Sequence, residues 1–217
     1  MSLSILMHSS PNFSRNKASN KLVVIHATAS NNGAGALSWL SNPKSGVSAH
    51  YLVDTDGKIY NLISEELVAW HCGVSEWKVD GNLLTDLNRY SIGIEVTGDN
   101  KTPFSEVQKA SLVELTKDIL NRHKLTADRV VRHLDVAVPK GRKSDPFAVS
   151  MDWNWFKSQL QTPMEVPAIP PLSMEEEVQA KFIAAGFMSH NKDLKGPAMW
   201  GEVLLVLNRL YDSLRLK

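Results

Sequence analysis

The run LVVI at positions 22–25 is followed at once by His26 and a stretch of small residues, ATAS. Four apolar residues in succession, two of them valine, predict a buried strand with a histidine at its C-terminal edge. GALSWLSNP predicts a short helix stopped by Asn42-Pro43, and SAHYLVDTDGKIYNLI predicts two strands around an Asp56-Gly57 hairpin turn. Polar and apolar residues alternate in SIGIEVTGD, which predicts a strand that carries Glu95 toward its far end.

Helical spacing then takes over. Val107, Leu112, Leu115, Ile119 and Leu120 recur behind a Ser105 cap, predicting a helix between the Glu95 strand and VVRH, a short β-branched strand that delivers His133. The turn-rich segment after it carries Lys143 and Asp145 to a proline, and WNWFKSQL predicts one more helix. Strands alternating with helices predict an α/β fold, with a mixed central sheet flanked by helices.

The pattern breaks at QTPMEVPAIPPLS, where prolines 163, 167, 170 and 171 exclude a helix or a central strand. We read residues 1–160 as the main domain, 161–173 as a proline-rich linker and 174–217 as a small helical module. That module carries two amphipathic patterns, EEEVQAKFIAAGF and GPAMWGEVLLVLNRLYDSL, the second with a packing face at Val203, Leu204, Val206, Leu207 and Leu210. Without a disulfide such a unit is marginal alone and is expected to dock on the main domain, a second copy or a ligand surface.

Composition narrows the function classes. A net charge of +1 gives no broad footprint for nucleic acid or an anionic membrane. With Cys72 as the single cysteine, an intramolecular disulfide and a cysteine-rich zinc knuckle are both excluded. The first residues lack a basic start followed by a sustained apolar stretch, and no segment reaches the ~18 apolar residues of a membrane span. The expectation is therefore a chain without an export signal or membrane insertion, cytoplasmic until released by lysis if its target lies outside.

His26, Glu95 and His133 each fall at or just past the end of a predicted strand. If those strands share one sheet and one polarity, the side chains converge where open α/β sheets place ligands. His26, His133 and Asp145 would then supply two imidazoles and a carboxylate, an open zinc site with one vertex left for water. The residues also admit quieter readings. Strand-end histidines are more often hydrogen-bonded structural groups, Asp145-Pro146 can simply start a turn, Lys143 can be a solvated charge, and Glu95 an edge carboxylate.

Five segments taken together, VVIHATAS, SAHYLVDTDGKIY, AWHCGVSEW, SIGIEVTG and RHLDVAVPKGRKSDP, resemble the type-2 N-acetylmuramoyl-L-alanine amidases in the family's order, over roughly residues 20–160. The family includes phage amidase lysozymes, bacterial muropeptide amidases and peptidoglycan recognition proteins. The resemblance implies a zinc amidase that cuts the bond between the lactyl group of N-acetylmuramic acid and L-alanine in peptidoglycan. It places His26, His133 and Asp145 at the metal-ligand positions. Glu95 matches the acidic residue that handles the water proton, and Lys143 the basic residue near the reacting carbonyl.

His50, Trp70 and His71 lie in matched segments and are substrate-binding candidates, with sheet packing the competing role for His50 and core packing for Trp70. Two departures stand out. Ala49 precedes His50 where some relatives carry tyrosine, which argues against a tyrosine-assisted mechanism. Some relatives also use cysteine where this chain has Asp145, while Cys72 is expected to be a small buried residue. DLKGPAMWGEVLLVLNRLYDSL resembles half of an S-layer-homology-type repeat, so the terminal module is read as a wall-binding unit, with dimerisation the competing role. This arrangement suits a phage or prophage endolysin. The alternatives are a cytoplasmic wall-recycling muropeptide amidase and a non-catalytic peptidoglycan-binding protein.

Overall fold

Leu22–Ala27 is buried along its whole length, and its neighbours on both sides explain why an apolar run is needed there. The computed structural model describes residues 3–161. In chain order the strands are β1 Ile5–Met7, β2 Phe13–Ser14, β3 Leu22–Ala27, β4 Tyr51–Val53, β5 Ile59–Asn61, β6 Val68–Ala69, β7 Glu76–Val79, β8 Asn82–Thr85, β9 Ser91–Val96 and β10 Val130–Arg132. The α-helices are α1 Gly33–Leu40, α2 Glu106–His123, α3 His133–Val136 and α4 Trp153–Gln161. Six strands form one sheet in the order β1-β5-β4-β9-β3-β10. It is mixed as expected: β4, β9, β3 and β10 run parallel, while β5 is antiparallel to β4. Everything assigned to the linker beyond Gln161 and to the module at 174–217 lies outside the described residues.

Alternation along the strands divides the core. Val23, Ile25 and Ala27 of β3 and Ile92, Ile94 and Val96 of β9 share a cluster with Leu112, Leu115 and Ile119 of α2 and Phe156 and Leu160 of α4. The opposite face of β3 carries Leu22, Val24 and His26, and the first two pack with Cys72, Leu87, Val131 and Val136. On that same face β9 presents Ser91, Gly93 and Glu95. Helix α1 packs beside Leu52, Leu62 and Ile63 in a third cluster.

Local chemistry accounts for the element ends. Asn32 caps α1 by accepting from the Gly35 N–H, and Ser105 and Gln108 close a reciprocal capping box on α2. The β4–β5 hairpin turns through Gly57 at φ +81°, a conformation a Cβ would strain. One expected core position differs: Val107 is about half exposed, because it covers that turn, 2.7 Å from where a Gly57 Cβ would stand. The N-terminal segment is anchored too, since the buried Asn12 side chain donates to the carbonyls of Asn42 and Val47. No helix among the described residues is long and apolar enough to cross a membrane.

Candidate metal and catalytic site

Strand register brings the candidate residues into one row. His26 of β3 sits directly opposite Glu95 of β9, and Ile25 sits opposite Arg132 of β10. His133, one residue beyond Arg132, therefore reaches the level of His26 at the C-terminal edge of three parallel strands. It opens the short helix α3 instead of ending the strand. The row lies on the face opposite α2 and α4, so its polar groups do not compete with the main apolar core.

Asp145 arrives from the loop after α3, and named contacts set that loop's path. The Leu134 N–H donates to the Asp145 carbonyl, and the Arg142 guanidinium donates to the carbonyls of Val138, Val74 and Cys72. The Asp145 Oδ2 then stands 2.9 Å from His133 Nδ1 and 3.5 Å from His26 Nδ1. One ligand atom from each of His26, His133 and Asp145 lies within 4.8 Å of the others. Bonds of about 2.1 Å from a tetrahedral cation would set its ligand atoms roughly 3.4 Å apart, so these separations suit a divalent ion with one vertex left open.

The electrostatics agree with that use. Burial lowers the His26 pKa to about 4, despite the pull of Asp145. Burial also works against the Asp145 charge, but the His133 and His26 rings outweigh it and hold the carboxyl well below the usual range. His133 donates its Nε2–H to the Cys72 carbonyl at 3.1 Å, because a carbonyl can only accept. Imidazole edges and a carboxylate oxygen thus crowd together, an arrangement that a bound cation stabilises.

Glu95 is the second chemical element. Burial, reinforced by Asp145 and opposed by Lys143, pushes its carboxyl up to about 8. Its Oε2 is buried with no hydrogen-bond partner among the described residues, as expected of a group reserved for a ligand. Glu95, His133, Asp145 and Lys143 line a cavity of about 580 Å³, walled also by Trp39, Val47 and Trp70.

The three substrate-binding candidates separate. Trp70 lines the cavity and anchors its ring by donating Nε1–H to Ser14. His71 also borders the cavity, yet both of its nitrogens face protein groups, His26 at 2.9 Å and Ser91 at 3.4 Å. His50 is fully buried between the Gly93 N–H and the Leu67 carbonyl, away from the cavity lining, and burial lowers its pKa to about 4. Burial likewise drives the His71 pKa far down, so this ring is neutral.

A second set, His26, His71 and Cys72, also falls within 4.8 Å. It suits a metal less well. Burial pushes the Cys72 thiol up to about 12, and the His26 and His71 nitrogens already meet at hydrogen-bond distance.

Gly93, Ser91, Asn88 and Arg142 were not among the sequence candidates. The period-two pattern of SIGIE carried a signal for the first two, because Ser91 and Gly93 share the face of Glu95. At Gly93 a Cβ would stand 2.5 Å from the His71 ring. Gly93→Ala is therefore expected to force the imidazole off the sheet and cost roughly 1–3 kcal/mol, measurable as a lowered Tm; an unchanged Tm would contradict this packing.

Comparison with known proteins supplies the context. A family model described as N-acetylmuramoyl-L-alanine amidase matches residues 16–148. The chain is 39% identical over 116 residues to the 1,6-anhydro-N-acetylmuramyl-L-alanine amidase AmpD of Haemophilus influenzae, covering 53% of this chain and 59% of that protein. It thus spans less than two thirds of that curated relative. Among solved structures, the Escherichia coli amidase AmiD in complex with the substrate anhydro-N-acetylmuramic acid-L-Ala-D-gamma-Glu-L-Lys superposes with a TM-score of 0.57 at 32% identity, over 67% of this chain and 60% of that one. A mutant endolysin from Bacillus subtilis gives a TM-score of 0.57 at 25% identity, over 73% and 99%.

Proposed function

Because the chain belongs to the N-acetylmuramoyl-L-alanine amidase family, we propose that it hydrolyses the amide bond between N-acetylmuramic acid and L-alanine, with zinc held by His26, His133 and Asp145. The observation that carries this reading is the grouping of those three ligand atoms beside the buried, unpartnered Glu95 carboxyl. Zinc, when bound, supplies a Lewis acid that makes water a competent nucleophile near neutral pH and polarises a carbonyl.

The chain's own residues do the rest. Glu95 accepts the proton of the attacking water and returns it to the departing L-alanine nitrogen. A carboxyl that titrates near 8 is suited to both directions of transfer, because a general acid–base group works best close to the operating pH. Lys143, an exposed ammonium on the cavity wall, lies close enough to act on Glu95 and is placed to balance charge building on the amide oxygen. Trp39 and Trp70 offer aromatic surface to the sugar or the peptide stem.

The names of the sequence relatives favour 1,6-anhydro-muropeptides as the substrate class over intact wall, although endolysins share the fold. Purified protein is expected to release peptides with a free L-alanine amino terminus from soluble anhydro-muropeptide, faster than from sacculi, and to carry zinc. Faster release from sacculi would favour the endolysin setting, and binding without release would leave a peptidoglycan-binding protein. The C-terminal module is proposed to bind wall. Truncation near residue 162 is expected to abolish wall pull-down and spare catalysis, whereas a change from dimer to monomer with pull-down unchanged would identify a dimerisation unit.

A further inference from the structure

We propose that Ser91 and His71 form a positioning relay that fixes His26 in its Nε2–H tautomer, so that its Nδ1 lone pair is presented toward Asp145. The inference deepens the zinc reading and rests on it for its consequence, but its logic starts elsewhere, at a backbone carbonyl.

Ser91 Oγ lies 2.6 Å from the Leu87 carbonyl oxygen. A carbonyl has no proton to give, so the serine hydroxyl donates there. Toward His71 Nε2, 3.4 Å away, the hydroxyl oxygen can then only accept, which places the ring proton of His71 on Nε2. The neutral ring has one N–H, and its Nδ1 is left as an acceptor. That Nδ1 stands 2.9 Å from His26 Nε2. Two bare nitrogens would repel at this distance, so His26 must carry its proton on Nε2. The opposite nitrogen, Nδ1, is the one facing Asp145 at 3.5 Å.

Each step of the relay is held in place by other groups. The backbone N–H groups of His71 and Cys72 both donate to the Asn88 side-chain oxygen, which fixes the segment carrying the ring. Gly93 supplies the flat surface on which the imidazole lies. The Cys72 thiol also lies near, 3.2 Å from His71 Nδ1 and 3.9 Å from Ser91 Oγ, but it is only a weak donor and acceptor and leaves the closer His26 Nε2–H as the main partner of that nitrogen. The His133 ring is oriented by a shorter route, its Nε2–H donating to the Cys72 carbonyl. Two histidines, one on β3 and one at the start of α3, are thereby oriented by protein groups behind them, as metal-binding imidazoles generally are. His71 is in this view a positioning residue, and its place on the cavity wall is secondary.

The test has two readouts. In the full-length chain labelled with 15N-histidine, long-range proton–nitrogen correlation spectra at neutral pH report the tautomer of each ring, the His26 signals being assigned by their loss in His26→Gln. Metal-free wild type is expected to show His26 protonated on Nε2 and bare on Nδ1, and a proton on Nδ1 would overturn the relay. Zinc affinity, measured by competition with a chromophoric chelator, is expected to fall roughly 10–100-fold in His71→Phe. His71→Asn, whose amide oxygen can still accept from His26, is expected to recover most of that loss. A folded His71→Phe chain that binds zinc like wild type would also overturn the proposal. If His71→Phe does not fold, the wild-type spectrum and the affinity of Ser91→Ala, expected between those two variants, decide it. Wild type that takes up no zinc would sink the zinc reading, while the spectrum still judges the relay.

Discussion

Glu95→Gln is expected to keep zinc and lose on the order of a hundredfold or more in the rate of amide cleavage. The amide is nearly isosteric with the carboxyl, so the cavity keeps its shape, but the side chain can no longer take a proton and return it. The same substitution reports on stability. In the folded protein the Glu95 carboxyl titrates near 8, against 4.5 for an ordinary glutamate, because of burial first and Asp145 second. Between those two values the native chain holds a proton that the unfolded chain has released. Stability therefore falls as pH rises through that window and is lowest above about pH 8. Glutamine carries no such penalty, so metal-free Glu95→Gln should be more stable than wild type at pH 8–9, by on the order of 2–4 kcal/mol. The two chains should converge near pH 4.5. Near-normal turnover would remove Glu95 from the proton-transfer role, and parallel stability–pH curves would show that it ionises without hindrance.

Asp145→Asn should abolish stoichiometric zinc. Its carboxylate oxygen faces both His26 and His133, and it is the only anion of the ligand set. An outer partner of a metal ligand is worth roughly 10–100-fold in affinity, and loss of a direct charged ligand should exceed the upper end of that range. Metal analysis after dialysis against a weak chelator reads the result, alongside loss of peptide release. Cys72→Ser is the matched control. If His26, His133 and Asp145 hold the ion, the serine variant stays loaded; if zinc instead follows Cys72, the ion belongs to the set built on His71.

Much of the site's placement was legible because strand ends are. An apolar run before His26, alternation before Glu95 and a β-branched run before His133 each mark where a parallel strand stops, and parallel strands stop at a common edge. The Asp56-Gly57 turn and the Ser105 cap were equally plain, since each depends on residues adjacent in sequence. What could not be read locally was the return of Asp145, which depends on Arg142 reaching carbonyls of Val74 and Cys72 some 68–70 residues away. The engagement of His71 by Ser91 is also a cross-sheet contact. Val107 followed the helical period yet faces a turn, because periodicity registers which side of α2 is apolar and not what covers its first turn. The edge strand β1 and the hairpin of β7 and β8 were missed, the latter although Asp80-Gly81 is an ordinary turn signal.

The row formed by His26, Glu95 and His133 draws its members from two strands and the first residue of α3, far apart along the chain, and Asp145 meets His26 only once β3 and β10 are side by side. A cation can be gripped by all three donors only after that docking, because His133 and Asp145 lie on one local segment but His26 joins them only when β3 lies beside β10. It acts as a late lock, slowing escape from the finished fold without hastening the approach to it.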